Sequence, residues 1–184
     1  MREQVLDAAE RMVQERGLNA VSFQQLADAV GLSKPSVFHH FSTKEALASA
    51  LVERCRTKYG AEYGAVIDAD LPAPAKLRGI AEIFERGLTD NRLCLLSALG
   101  QSLPTLTDAV QDDLRLSVRG SIDRYARVFE QGAAENSLRF EGSPSDAAAA
   151  FLALLEGLQV LARAKREEDL FRRAADSYIR SVTA

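Results

Sequence analysis

The residue pattern predicts an all-α fold in two parts. A three-helix domain containing a helix-turn-helix spans residues 1–50, and a larger helical domain spans residues 51–184. Three observations carry this expectation. Apolar residues recur at helical spacing nearly throughout the chain. Residues that start and stop helices punctuate the pattern closely in the first part and sparsely in the second. No stretch of useful length alternates apolar and polar residues as a strand does.

The elements follow in order. Val5, Leu6, Ala9, Met12 and Val13 form one stripe over residues 2–16, and Gly17 supplies a stop. Ser22-Phe23-Gln24-Gln25 fits a capping box, in which the hydroxyl accepts from the backbone three residues on and Gln25 reaches back. A short helix to Val30 follows and ends at Gly31. Ser33 caps the next helix, over 34–40, where Pro35 is tolerated because first-turn N–H groups lack an intrahelical partner. Ser42-Thr43-Lys44-Glu45 reads as a second capping box opening a helix that runs to Tyr59 or beyond. Leu71-Pro72-Ala73-Pro74 is a linker. Helices are then predicted over 75–88, 91–102 and 106–134. Ser143-Pro144-Ser145-Asp146 starts the pair of closing helices, over 144–164 and 167–182.

Composition narrows the class. Hydrophobic residues at 47% and charged residues at 27% describe a folded chain, not a disordered one. The polar N-terminus is not a signal peptide, and no apolar run approaches bilayer length, so a cytoplasmic protein without a membrane partner is expected. Cys55 and Cys94 have no metal-ligand spacing and are too few for a disulfide scaffold. Net charge is −3, with residues 1–60 at +1 and the remainder at −4. Any nucleic-acid contact must therefore use a few placed groups and not a general basic surface.

Two short capped helices joined by Gly31-Leu32-Ser33 make a helix-turn-helix, whose second helix enters the major groove in proteins that use it. Around it stand the Leu26-Ala27 pair, the Phe38-His39-His40-Phe41 end of the second helix, and Lys44-Glu45-Ala46-Leu47 opening the next. Over about residues 5–52 this stretch resembles the DNA-binding domain of TetR-family transcriptional regulators. The resemblance implies a ligand-responsive regulator, a repressor released by a small molecule from a palindromic operator in double-stranded DNA. Residues 51–184 then serve effector binding and dimerisation.

The resemblance also implies roles. Val37 and Phe41 are buried against Leu26 and Val30. Ser33, Lys34, Pro35, Ser36, Phe38 and His39 face DNA. Lys44 holds a phosphate together with its helix N-terminus, and Ser22 donates to a phosphate while capping. Two positions depart from the family pattern. Phe38 stands where relatives carry Tyr, which removes a phosphate-reaching hydroxyl but keeps the ring for a thymine methyl. Pro35 stands where Gly is common. Both bear on operator sequence and affinity. His39 and His40, adjacent on a helix, point about 100° apart and do not converge on a metal.

The helix over 144–164 is apolar nearly all round, so it is covered on more than one face. In TetR-like proteins the last two helices pack against those of a second copy. That implies a homodimer interface with Phe151, Leu154, Leu158 and Leu161 on one helix and Phe171, Ala174 and Tyr178 on the other. The alternative is a purely internal core. Phe84, Leu88, Cys94, Leu95, Tyr125, Phe129 and Leu155 lie on helices that line the family's ligand cavity. Their character points to an apolar or aromatic effector, the alternative being ordinary core. Cys94-Leu95 also resembles an element of electrophile-sensing repressors. The alternative for Cys94 is an inert thiol.

Two rival readings stand beside the regulator. An enzyme lacks support, since there is no nucleophile triad, metal cluster or phosphate loop, and no cofactor is expected. A helical interaction protein with a degenerate DNA-binding domain is the other, and loss of salt-dependent DNA binding would mark it.

Overall fold

A computed structural model describes residues 1–184, the side chain of residue 168 excepted. Among the described residues it has α-helices at Arg2–Arg16 (α1), Phe23–Val30 (α2), Lys34–His40 (α3), Lys44–Arg54 (α4), Gly60–Ile67 (α5), Ala73–Thr89 (α6), Leu95–Gly100 (α7), Asp108–Ala134 (α8), Pro144–Lys165 (α9) and Glu168–Val182 (α10). An isolated antiparallel bridge joins Leu138 and Thr183, and there is no strand among the described residues. The fold is all-α, as the periodicity predicts.

The chain divides into two compact units. The first comprises Met1–Lys58 and Cys94–Ser117, and the second comprises Tyr59–Leu93 and Val118–Ala184. In the first unit α1 packs against α2, α4 and α7, and α2 packs against α3. Val5, Ala9 and Val13 on α1 are fully buried with Leu26, Val37, Leu47 and Leu51. This is the apolar stripe read from the sequence. A charged clamp lies over it. Arg54 donates to Glu3, Asp7 and Glu10, and Lys58 donates to Glu10 at 2.8 Å, although Glu10 is only 2% exposed. Burial disfavours charge on Arg54, but hydrogen bonds to Asp7 and Glu10 outweigh it and raise the guanidinium pKa.

In the second unit α9 and α10 pair along their lengths, and both pack on α6. Phe151, Leu155 and Ala162 on α9 turn inward with Phe171, Ala175 and Ile179 on α10. By length and composition alone, α9 is a 22-residue helix apolar enough to cross a membrane, contrary to the sequence expectation that no such run exists. Its apolar inner face is accounted for by burial within the second unit.

Three local differences from the sequence reading have physical causes. The cap of α4 is Thr43 and not Ser42: Thr43 is extended and its hydroxyl accepts from Ala46 N at 3.1 Å. The third helical residue is then Ala46, which has no side chain to complete a box. The helix predicted over 91–102 is confined to Leu95–Gly100. Asn91 is left-handed at φ 57, and Arg92 N donates back to Gly87 O at 2.8 Å, so these residues close α6 and do not open a new helix. The fourth helix does run on past Tyr59, but through a π turn at Cys55–Tyr59 that leads into α5.

Candidate nucleic-acid interface

The geometry of α2 and α3 is set by short-range devices. Ser22 Oγ accepts from Gln25 N at 3.2 Å and Gln25 Oε1 accepts from Ser22 N at 3.0 Å, a complete capping box. Gly31 ends α2 in the left-handed region, φ 67, and Leu32 N donates to Ala27 O at 2.9 Å. Ser33 Oγ then accepts from Ser36 N at 3.3 Å and starts α3. Val37 and Phe41 are buried on one side of α3 with Leu26, while Val30 is half-buried.

The opposite side of α3 is open. Ser33, Lys34, Pro35 and His39 are exposed, Phe38 is 50% exposed, and Ser36 is half-buried. Ser33 and Ser36 share a hydroxyl hydrogen bond of 2.8 Å. The Phe38 ring stands edge-on to Phe23, centroids 5.9 Å apart, an aromatic contact the sequence reading missed. Lys44 Nζ donates to Asn19 O at 3.2 Å, so this cation begins from a defined position at the start of α4. Ser22, the N-cap of α2, is exposed. Arg2, also overlooked, lies over the Phe41 ring at 5.0 Å. Among the described residues no cluster of three His, Cys, Asp or Glu side chains offers a metal site.

The effector candidates divide between the units. Phe84, Leu88, Tyr125, Phe129 and Leu155 are buried in the second. There they meet aromatic residues the sequence reading did not join to them. Tyr63 approaches Tyr125 at 5.5 Å and Phe84 at 6.0 Å, and Phe151 contacts Tyr125, Phe129 and Tyr178. Burial pushes the Tyr178 phenol pKa up. Gln159, buried on α9, donates to Phe84 O at 2.7 Å. Cys94 and Leu95 belong to the first unit. Leu95 is buried on α7, and Cys94 is half-buried immediately before it. The Cys55 thiol is buried, and burial raises its pKa strongly.

The dimer candidates divide by face. Phe151, Leu158 and Phe171 are buried within the second unit. Leu154, Ala174 and Tyr178 are half-buried, and Leu161 is 55% exposed. Ala150, Ala153, Gly157 and Val160 extend that outer apolar stripe of α9. A Cβ at Gly157 would meet nothing within 4 Å.

A capped, solvent-open recognition helix on a helical bundle, joined to a second helical unit, defines a helix-turn-helix transcriptional regulator. Residues 5–51 match the family model described as bacterial regulatory proteins, tetR family. The chain is 29% identical over 161 residues to the transcriptional regulator AcuR of Cereibacter sphaeroides, covering 83% of this chain and 71% of that one. It is 25% identical over 174 residues to the HTH-type transcriptional repressor NemR of Escherichia coli, covering 90% and 85%. A TetR-family regulator from Agrobacterium tumefaciens superposes with TM-score 0.93 at 24% identity, covering 100% of this chain and 97% of that one. The chain thus carries a tetR-family DNA-binding domain over residues 5–51 and, over its whole length, the fold of TetR-family regulators.

Proposed function

We propose that this chain acts in the cytoplasm as a homodimeric repressor on a palindromic operator, and that a small apolar or aromatic molecule held in the second unit releases it, with no reaction catalysed. The observation that carries the DNA half is the open face of α3, with Lys34, Phe38 and His39 exposed while Val37 and Phe41 anchor the helix. Lys34 and Lys44 hold phosphates. Ser36, His39 and the Phe38 ring read base edges and the thymine methyl. Ser22, Ser33 and Pro35 fix the approach of the two helices to the backbone.

Selection of random duplex DNA on the purified protein is expected to return a palindrome. Lys34→Ala and Lys44→Ala are expected to weaken specific and random DNA alike, each lowering the log–log salt slope by about one. Ser36→Ala and His39→Ala are expected to change base preference instead. Equal effects of all four on both DNAs would show that the base-reading face is wrongly assigned.

Dimerisation is supported by the outer stripe of α9, where Leu154, Val160 and Leu161 have no intramolecular cover sufficient to bury them. Two recognition helices about 34–36 Å apart then meet successive half-sites. Leu161→Glu is expected to yield a folded monomer in sedimentation velocity, because an unpaired carboxylate cannot be buried at an apolar interface. A dimer unchanged at micromolar concentration would exclude this face. The effector acts only through its different affinities for the DNA-bound and released states.

A further inference from the structure

Among the described residues of the second unit, one guanidinium has no acid to hold. Arg124, on α8, is half-buried. Its Nε donates to Gly120 O, one turn back on its own helix, at 3.1 Å. No carboxylate pairs with it among the described residues, whereas Arg86, Arg127 and Arg172 in the same unit pair with Glu62, Asp68 and Glu85. Space for the fork is made by Gly60, while Gly120 on the other helix is in no more than ordinary contact range of it. A Cβ at Gly60 of α5 would fall 2.6 Å from Arg124 Nη1, and one at Gly120 would lie 4.0 Å from Nη2. Any larger residue at position 60 would force the guanidinium aside.

The slot sits beside the aromatic cluster. Tyr63 is one turn along α5 from Gly60, and Tyr125 follows Arg124 on α8. Their rings are 5.5 Å apart, and Tyr63 also reaches Phe84 at 6.0 Å. A planar fork with free Nη donors next to apolar rings matches one kind of molecule, a carboxylate on an apolar body. Arg binds carboxylates in a bidentate, charge-assisted fashion, and that pairing is strong where water is partly excluded. The rings supply dispersion and edge contacts to the body.

We propose that Arg124 receives the carboxylate of the effector, which is a small monocarboxylate whose apolar or aromatic body lies against Tyr63, Phe84 and Tyr125. This rests on the reading of the second unit as the effector-binding part. Gly60 is the residue that keeps the fork in place.

The test is calorimetric titration of the full-length protein with benzoate, phenylacetate and hexanoate against their neutral amides, followed by release of the selected operator DNA. The acids are expected to bind about ten- to a hundredfold more tightly than the amides, the range of one charge-assisted hydrogen-bonded contact. Arg124→Gln is expected to reduce the acids to the level of the amides. Gly60→Ala is expected to act in the same direction with the charge retained, and Arg124→Lys to fall between. Thermal melting without ligand separates loss of fold from loss of binding, and the acid–amide comparison on the unaltered protein needs no variant. Amides binding as well as acids, acid binding undiminished in Arg124→Gln, phenyl phosphate preferred over benzoate, or no acid binding at millimolar concentration would each overturn the assignment. If amides bind and release DNA, the effector reading stands and only Arg124 falls. If no compound of either kind binds or releases DNA, both fall.

Discussion

Phe151→Ala is expected to cost about 3–5 kcal/mol of stability, the range for removing a buried aromatic ring. Phe151 is 0% exposed and sits at the centre of the aromatic cluster. Tyr178 stacks on it at 5.7 Å with an interplanar angle of 17°, while Tyr125 and Phe129 meet it edge-on at 6.5 and 6.1 Å. Removing the ring deletes three aromatic contacts and leaves a void bounded by α8, α9 and α10, whose backbones cannot all close in. Denaturant unfolding at several protein concentrations gives the check. The loss relative to wild type should be the same at every concentration, because the ring is interior to its own protomer. A variant that unfolds normally but dissociates more readily would return Phe151 to the dimer interface, where the sequence reading put it.

The contrast between Phe151 and Leu161 shows what a single sequence can reveal. Helical spacing says which residues of α9 share a face. It does not say which of two apolar faces turns inward, because Phe151, Leu154, Leu158 and Leu161 satisfy the same period. The choice is made by α6 and α10, far away in sequence. The helix-turn-helix geometry was far more legible. The Ser22–Gln25 box, the Gly31 turn and the Ser33 cap each close within a few residues, so local chemistry alone determines them. The one-residue slip from Ser42 to Thr43 marks the limit of that logic. Either hydroxyl can cap, and backbone conformation decides. Likewise, Asn91 to Leu93 have helical character, but the left-handed Asn91 folds the chain back over Gly87. The family resemblance puts Leu95 on a helix that lines the ligand cavity. The chain returns to the first unit at Cys94, and only tertiary structure reveals that return. Arg124 reads from the sequence as one arginine among many. Its significance depends on Gly60, which lies on another helix.

Gly132→Ala is expected to destabilise the protein by about 1–3 kcal/mol, although the same change at an open helical site stabilises by about 0.5–1 kcal/mol. The reversal comes from Leu138. Gly132 lies near the end of α8, and a Cβ there would fall 2.8 Å from Leu138 Cβ and overlap the rest of its buried side chain. Leu138 cannot simply retreat. Its N–H donates to Gly132 O at 3.1 Å, alongside that of Ser137 at 2.9 Å. On its other side, Arg139 N donates to Val182 O at 2.7 Å and Ala184 N donates to Ser137 O at 3.0 Å, tying the loop to the end of α10. The added methyl must therefore push either α8 or a segment held at both ends. A double-mutant cycle separates collision from propensity. Leu138→Ala alone is expected to cost about 2–5 kcal/mol as a buried truncation. In that background the Gly132→Ala penalty should shrink or change sign, because the colliding atoms are gone and the helix-forming preference of Ala remains. A Gly132→Ala protein that melts higher than wild type would mean that the 137–139 segment yields, and that its ties to α10 are weaker than their hydrogen-bond geometry implies.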